Sequence, residues 1–269
     1  MSRYQIVTTM HSKGYDVYGR KMIDSFLKFW PETFSLIVYT EGFVLDQTHQ
    51  QNSRLVSRDL LACSPDLVSF KQRHQNNRAA NGFVEPTRKD PDFAFDAVRF
   101  SHKVFALYHA VHHRAVGVDA IVWVDADTVT HSLIPVNFFD KNFPLKPEVG
   151  IYYLGRTQQH SECGWMIFNC LNPHMKAFWK MFANQYKLDE LFKLKEWHDS
   201  FVFDHVRTHM ETSAGMTNHN ITPGYTKGHP FIDSFLGEYM DHLKGPKRKI
   251  AGRSAKHETK NKKAQWWNE

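Results

Sequence analysis

Two aspartates separated by one residue, Asp125 and Asp127, follow directly on a short apolar run in this sequence. The run, residues 120–124, is continuous and partly β-branched, which is typical of a strand covered on both faces of an α/β sheet. Ligands bind beyond the carboxyl ends of the strands in open sheets of this kind. Two carboxylates there can hold a hard cation, Mg²⁺ or Mn²⁺, which commonly bridges to substrate phosphates. The simpler alternative is a polar turn that ends the strand.

The segment before this strand predicts a helix over residues 97–113, with Val104 and Leu107 on its apolar face. Arg99 and Lys103 are four residues apart and therefore share another face. One interpretation is that they form a solvated basic stripe. The other is that they help to neutralise a diphosphate, because this helix leads into the Asp125 strand.

The apolar pattern around these residues predicts an α/β fold with a mixed, mostly parallel sheet flanked by helices. A strand at residues 4–9, a helix at 18–30 and a strand at 34–39 make an opening βαβ unit. No Gly-rich loop follows the first strand, which argues against a dinucleotide or P-loop enzyme. Residues 46–95 show little periodicity and predict an excursion with short elements.

Later elements complete this pattern. We predict a strand at residues 149–154, a helix with an aromatic face after Asn172-Pro173, and a further helix that begins near Asp199. The chain of 269 residues is 42% hydrophobic and 14% aromatic, which suffices for one globular domain. Three cysteines without Cys-x-x-Cys spacing predict a reducing, cytoplasmic location. We expect no membrane span and no signal peptide.

The net charge of +6 is concentrated at the C-terminus. Residues 244–269 contain nine Lys or Arg and two Glu, a net charge of +7, so residues 1–243 carry −1. We predict a domain over residues 1–250 and a flexible basic tail over residues 251–269. Such a tail could contact a polyanion such as DNA, RNA or an anionic membrane.

Four segments, taken in order, resemble the GT-A-fold glycosyltransferases, especially the retaining glycogenin and galactosyltransferase-like group. They are the βαβ opening, Asp125-Ala126-Asp127 with its preceding lysine-bearing helix, residues 162–169 (ECGWMIFN) and residues 242–248 (HLKGPKR). The resemblance spans residues 4 to about 248. It implies a single Rossmann-like GT-A domain that transfers sugar from a nucleotide-diphosphate sugar, with a UDP-sugar favoured as donor.

The resemblance also implies a metal site. Asp127 would be a direct ligand of Mn²⁺ or Mg²⁺, Asp125 would share the metal or contact the ribose, and His242 would be the third ligand. Lys247 or Arg248 would hold a phosphate. A metal and cations placed at a leaving diphosphate stabilise the charge that develops there.

The resemblance also implies which residues would bind the donor. The end of the first strand (Thr8, Thr9 and Met10) and Tyr18 would border the nucleobase and ribose. Asp199 would accept hydrogen bonds from the donor sugar, and Glu162 would face the anomeric carbon or the acceptor. The alternatives for these two carboxylates are an ordinary helix N-cap and a loop carboxylate.

The sequence departs from the family at three places. Residues 248–250 (RKI) stand where relatives commonly continue with Lys-Pro-Trp, and Glu162 stands where Asn is frequent. His198-Asp199-Ser200 is similar to the His-Asp-Glu-Ser segment of the α-1,3-galactosyltransferase branch.

The sequence thus predicts a metal-dependent glycosyltransferase, with retention and an unidentified acceptor. The alternatives are a nucleotidyltransferase of similar sheet topology, or a nucleic-acid-binding or nucleic-acid-modifying protein that uses the basic tail and Trp266-Trp267. The missing Gly-rich loop argues against the first alternative. The near-neutral body argues against the second.

Overall fold

Nine strands form two sheets in the computed structural model, which describes residues 3–85, 87–226, 228–260 and 264–268. The larger sheet has seven strands, and two short strands form a separate small sheet. In chain order the strands are β1 (Tyr4–Met10), β2 (Leu36–Thr40), β3 (Leu55–Asp59), β4 (Ala120–Val124), β5 (Thr128–Thr130), β6 (Val149–Leu154), β7 (Glu162–Asn169), β8 (Thr217–Asn220) and β9 (Met240–His242).

The strand order of the larger sheet is β3-β2-β1-β4-β7-β6-β8, and β5 pairs with β9. Parallel pairing joins β3, β2, β1 and β4, and also β6 and β8, whereas β7 is antiparallel to both of its neighbours. The predicted mixed, mostly parallel sheet is therefore confirmed. Because β7 runs antiparallel, its amino end lies at the edge where β4 ends, and Val124 pairs with Trp165.

Helices cover both faces of the larger sheet. Successive side chains of a strand point to opposite faces, so Trp123 packs in one core cluster and Val122 in the other. None of the helices in the described ranges combines the length and apolar character that crossing a bilayer requires. The helices are α1 (Ser12–Gly14), α2 (Arg20–Phe29), α3 (Gln47–Gln50), α4 (Leu60–Cys63), α5 (Pro65–His74), α6 (Ala97–His112), α7 (Phe138–Asn142), α8 (Met175–Lys187), α9 (Asp199–Ala214), α10 (Pro230–Asp233) and α11 (Pro246–Ala251).

The long elements agree with the sequence pattern, and the excursion differs in one respect. The strands β4 and β6, the helix α6 and the start of α9 lie where we predict them. Residues 46–95 contain short helices as expected, but also the edge strand β3. Val56, Ser57 and Asp59 are exposed in this strand, so it has no continuous apolar run that could reveal it.

The C-terminal segment differs from the expected flexible tail, because the described part of it packs on the domain. The Trp267 side chain is 2% exposed and its Nε1 donates to the Gly237 carbonyl at 2.7 Å. The Ser254 hydroxyl donates to Asp241 at 2.7 Å. Aromatic anchors and hydrogen bonds to buried groups replace the aliphatic residues that the segment lacks. Residues 261–263 and 269 of the predicted tail lie outside the described residues.

Candidate active site

The two aspartates and His242 meet at one edge of the larger sheet. Asp125 and Asp127 follow β4, and β5 begins at the next residue. Because β5 pairs with β9, Thr128 lies opposite His242, and the Leu243 N–H donates to the Asp127 carbonyl at 2.8 Å. This pairing brings together residues that are more than a hundred positions apart in the chain.

Each aspartate offers one oxygen to a lysine and the other to His242. Asp125 Oδ1 is 2.8 Å from Lys103 Nζ, and its Oδ2 is 3.5 Å from His242 Nε2. Asp127 Oδ2 is 2.8 Å from Lys249 Nζ, and its Oδ1 is 3.2 Å from His242 Nε2. The two oxygens that do not contact these lysines therefore converge on one imidazole nitrogen.

The other nitrogen of His242 faces Glu162. The distance from Nδ1 to Glu162 Oε1 is 3.4 Å, and the other Glu162 oxygen is paired with the Lys244 ammonium group. His229 Nδ1 lies 3.8 Å from that same oxygen. A Cβ at Gly164 would lie 2.5 Å from His242 Cε1, so glycine is required for the imidazole to fit.

Neighbouring cations decide the charge of these acids, of which Glu162 is buried and Asp125 is half-buried. Burial by itself raises the pKa of Asp125, but Lys103 and His242 hold that pKa well below its usual range. Burial likewise raises the pKa of Glu162, and Lys244 with His242 hold it well below the usual value. Both side chains are therefore carboxylates at neutral pH.

The residues present fit the predicted metal ion. Burial raises the pKa of Asp127, and His242 with Lys249 lowers it below its ordinary value. Ligand atoms of Asp125, Asp127 and His242, the metal-site cluster, lie within 4.8 Å of one another. Two carboxylate oxygens and an imidazole suit Mn²⁺ or Mg²⁺. Such an ion would replace the proton on His242 Nε2, while Nδ1–H would donate to Glu162, as ligating histidines usually do to a carboxylate.

One lysine connects the metal-site cluster to the predicted sugar-side carboxylate. Lys103 Nζ is 2.8 Å from Asp125 Oδ1, 2.6 Å from Asp199 Oδ2 and 2.9 Å from the Cys163 carbonyl. Burial lowers the pKa of Lys103, but the two carboxylates raise it above its ordinary value, so the cation is permanent. Asp199 is the first residue of α9, where a negative charge is favourable. Arg99, one turn before Lys103, also faces the site.

These side chains line a cleft of about 590 Å³, which adjoins a smaller pocket of about 160 Å³. Both spaces are bordered by Arg99, Lys103, Asp125, Asp127 and Lys249. The larger space is also lined by Glu162, Asp199, His242 and Lys244. The smaller one is also lined by Thr9, Met10, Tyr18, Glu41 and His102.

The smaller pocket contains most of the residues predicted to border a nucleoside. Thr9, Met10 and Tyr18 line it, and Lys249 Nζ lies 4.5 Å from the centre of the Tyr18 ring. Burial raises the pKa of Tyr18 to about 12, so its hydroxyl is neutral. Thr8 does not share this position, because it lies two residues inside the strand end and is fully buried.

The two basic residues predicted to hold a phosphate lie elsewhere. Lys247 is exposed, and the Arg248 guanidinium donates to both oxygens of Glu258, at 2.6 and 2.9 Å. Lys249 reaches the cleft instead, because α11 begins at Pro246 and Lys249 lies on nearly the same side of the helix as Pro246. Proline is frequent at the first position of a helix, so Pro246 could have indicated where α11 begins and therefore that Lys249 is the lysine that faces the cleft. Arg248 and Lys249 are thus both paired with carboxylates of the chain, Glu258 and Asp127.

A second imidazole–carboxylate pair, Glu41 and His102, was not predicted. Glu41 Oε2 is 3.3 Å from His102 Nδ1, and the Thr9 hydroxyl donates to Glu41 Oε1 at 3.2 Å. Burial raises the pKa of Glu41 to about 7 and lowers that of His102 to about 3. Glu41 directly follows β2, so the strand-end rule that indicated Asp125 also applied to it.

No protein-family model and no curated protein matches this sequence. Solved structures of similar shape include the apo form of mouse xyloside xylosyltransferase 1, with a TM-score of 0.49 and 10% identity over 81% of this chain and 84% of that one. The apo WbbM bifunctional glycosyltransferase has a TM-score of 0.45 and 12% identity over 81% of this chain and 38% of that one. Galactosyltransferase LgtC with donor and acceptor sugar analogs has a TM-score of 0.43 and 10% identity, over 74% and 69%. All three are named as glycosyltransferases, but each TM-score is below 0.5, so we infer function from the cleft.

Proposed function

We propose that this protein is a metal-dependent glycosyltransferase that moves a sugar from a nucleotide-diphosphate sugar to an acceptor. The observation that supports this function best is the metal-site cluster, where Asp125 Oδ2 and Asp127 Oδ1 converge on His242 Nε2. The cluster lines the larger cleft together with Lys103, Lys244 and Lys249. This combination suits a donor whose leaving group is a diphosphate.

The leaving diphosphate would be held by the cluster and by the basic residues beside it. Bound Mn²⁺ or Mg²⁺ would supply a Lewis acid for the charge that the leaving group gathers. Lys244, Lys249 and Arg99 add positive charge along the same cleft. Lys249 contacts a carboxylate of the cluster, and its flexible stem allows the ammonium group to turn to a phosphate instead.

The smaller pocket would take the nucleoside. It adjoins the metal-site cluster, and Thr9, Met10, Tyr18 and Arg99 line it. A nucleoside there would have its diphosphate directed to the aspartates. We favour a UDP-sugar as donor because of the sequence resemblance to the glycogenin and galactosyltransferase-like group.

The sugar would lie in the larger part of the cleft, between Asp199 and Glu162. Asp199 is buried and tied to Lys103, so its carboxylate is held ready to accept hydrogen bonds from sugar hydroxyls. Glu162 lies beside His242 and would face the anomeric carbon or the acceptor hydroxyl. The same sequence resemblance favours retention.

Cys63, Cys163 and Cys170 are free thiols, which supports the proposed cytoplasmic location.

The test is a screen of UDP-, GDP- and TDP-sugars with and without Mn²⁺. We expect at least one UDP-sugar to raise the melting temperature only when Mn²⁺ is present, and to be hydrolysed slowly to UDP. An excess of chelator should abolish both effects. Hydrolysis that continues undiminished in chelator, or a melting temperature that no nucleotide sugar changes, would contradict the proposal.

A further inference from the structure

The buried acid next to His242 faces away from the cleft. Adjacent side chains of a strand point to opposite faces, so in β9 the His242 ring faces the metal-site cluster and Asp241 faces the C-terminal segment. Asp241 is completely buried. A buried carboxylate is strongly destabilising unless other groups hydrogen-bond to it.

The hydrogen bonds that Asp241 accepts in the described structure come from the C-terminal segment. The Ser254 N–H donates to Oδ2 and the Ser254 hydroxyl donates to Oδ1, both at 2.7 Å. Trp266 Nε1 donates to Oδ2 at 3.1 Å. Both carboxylate oxygens are thus held by residues that follow His242 in the chain by 12 and 24 positions.

The small sheet that carries His242 and directly follows Asp127 needs such support. Strands β5 and β9 have three residues each and pair with one another outside the larger sheet. A two-stranded sheet of this size is marginally stable by itself. The Trp266 ring also stacks on His131, which follows β5, with centroids 5.1 Å apart. The Trp266 side chain therefore contacts β9 through Asp241 and the residue that directly follows β5.

We propose that Ser254 and Trp266 are positioning residues for the metal site: they hold Asp241 and thereby keep His242 directed at Asp125 and Asp127. The C-terminal segment is on this view a part of the active site's framework rather than a targeting arm. The inference rests on the proposed function, because His242 is given the role of a metal ligand.

A double variant and a tryptophan control test this role. Trp266→Phe keeps an aromatic ring but removes the bond to Asp241, and it is combined with Ser254→Ala. Trp267→Phe is the control, because it removes the bond from the neighbouring indole to the Gly237 carbonyl. Mn²⁺ affinity of the full chain without nucleotide is measured by titration calorimetry, together with the melting temperature of each variant.

We expect the Ser254→Ala, Trp266→Phe variant to bind Mn²⁺ about tenfold more weakly. Loss of a residue that supports a metal ligand typically weakens metal affinity by about this factor. Trp267→Phe should change Mn²⁺ affinity less than about twofold, even where it lowers the melting temperature as much. Equal effects of the two changes, or a lower melting temperature with unchanged Mn²⁺ affinity in the test variant, would overturn the proposal.

His242→Ala separates this inference from the proposed function. If the unmodified protein binds Mn²⁺ and His242→Ala weakens binding, while the Ser254 and Trp266 variant does not, only the positioning role fails. If the unmodified protein binds no Mn²⁺, the metal-dependent function fails and the positioning role fails with it.

Discussion

Three groups of side chains in the described residues bring histidine and carboxylate atoms within 4.8 Å of one another, and two of these groups share His242. Two groups that have no residue in common differ in their hydrogen bonds. One is the metal-site cluster. The other is formed by His160, Glu196 and His198, near the start of α9. There both Nε2 atoms face one oxygen, Glu196 Oε2, at 3.4 and 2.9 Å.

The second ring nitrogen distinguishes the two groups. His198 Nδ1 accepts the Phe201 N–H at 3.4 Å and so caps α9, which leaves the ring hydrogen on Nε2, where it is donated to Glu196. A metal on that Nε2 would require the ring to lose its remaining hydrogen. In the metal-site cluster Nδ1 of His242 faces Glu162, which can accept a hydrogen. Proximity of ligand atoms is therefore insufficient, and the partner of the opposite ring nitrogen decides which histidine can bind a metal.

We expect the largest difference between the two groups in the turnover of their variants. Asp127→Asn removes a charged ligand, and donor hydrolysis should fall on the order of 10³-fold, because metal-centred stabilisation of the leaving group is lost. Glu196→Gln, the matched change in the other group, should alter hydrolysis little. The measurement is nucleotide release at saturating Mn²⁺. Full activity in Asp127→Asn would remove the distinction.

The next effect concerns metal affinity. His242→Ala should weaken Mn²⁺ binding about 10- to 100-fold, with partial rescue of hydrolysis by high Mn²⁺, whereas His160→Ala should leave the titration unchanged. Burial lowers the pKa of His242, but the surrounding carboxylates raise it well above its usual value in the metal-free protein. A proton therefore competes with the metal, and Mn²⁺ affinity should still rise with pH above 7. A flat pH profile would argue against ligation by His242.

A smaller effect is expected from the lysines of α11. Lys249→Met should raise the dissociation constant of UDP about tenfold, since one charge-assisted bond to phosphate is lost. The exposed Lys247 provides the control, and Lys247→Met should change the constant less than about twofold. The calorimetry is done at saturating Mn²⁺, so that an effect of Lys249 on metal binding through Asp127 does not change the measured constants. Equal dissociation constants for the two variants would show that Lys249 is not the lysine that contacts the phosphate.

The last effect is a change in the pH dependence of stability only. Glu41 ordinarily titrates near 4.3, and burial raises its pKa to about 7 in the folded protein. Between these values the native state binds more protons at Glu41 than the unfolded state does, so the contribution of Glu41 to stability falls as pH rises through this window. Glu41→Gln should remove that decline. Urea unfolding at pH 5 and pH 7.5 measures the free energy of unfolding of the unmodified protein and of Glu41→Gln. If this free energy changes equally with pH in the two proteins, the pair of Glu41 and His102 is ionised.

Strand ends made much of the site predictable. The apolar run before Asp125 indicated β4 and its carboxyl end, and helical spacing placed Arg99 and Lys103 on one face of α6. Glu162 could not be positioned in this way, because only the antiparallel direction of β7 carries its first residue to the same edge. Spacing by itself did not indicate His242, which the family resemblance suggested and the pairing of β5 with β9 places beside Asp127.

The sequence by itself determined the longer local elements, such as β4, α6 and α9, since periodicity, caps and strand-end polarity depend on a few neighbouring residues. Tertiary structure alone decided which cations meet which acids. Lys249 rather than Lys247 reaches Asp127 because of the rotational position of α11. The C-terminal segment likewise looked like a charged, flexible tail, yet Ser254 and Trp266 bind the buried Asp241. The physical reason is that such contacts join residues distant in sequence, and their geometry is set by how sheets and helices pack rather than by the residues nearby.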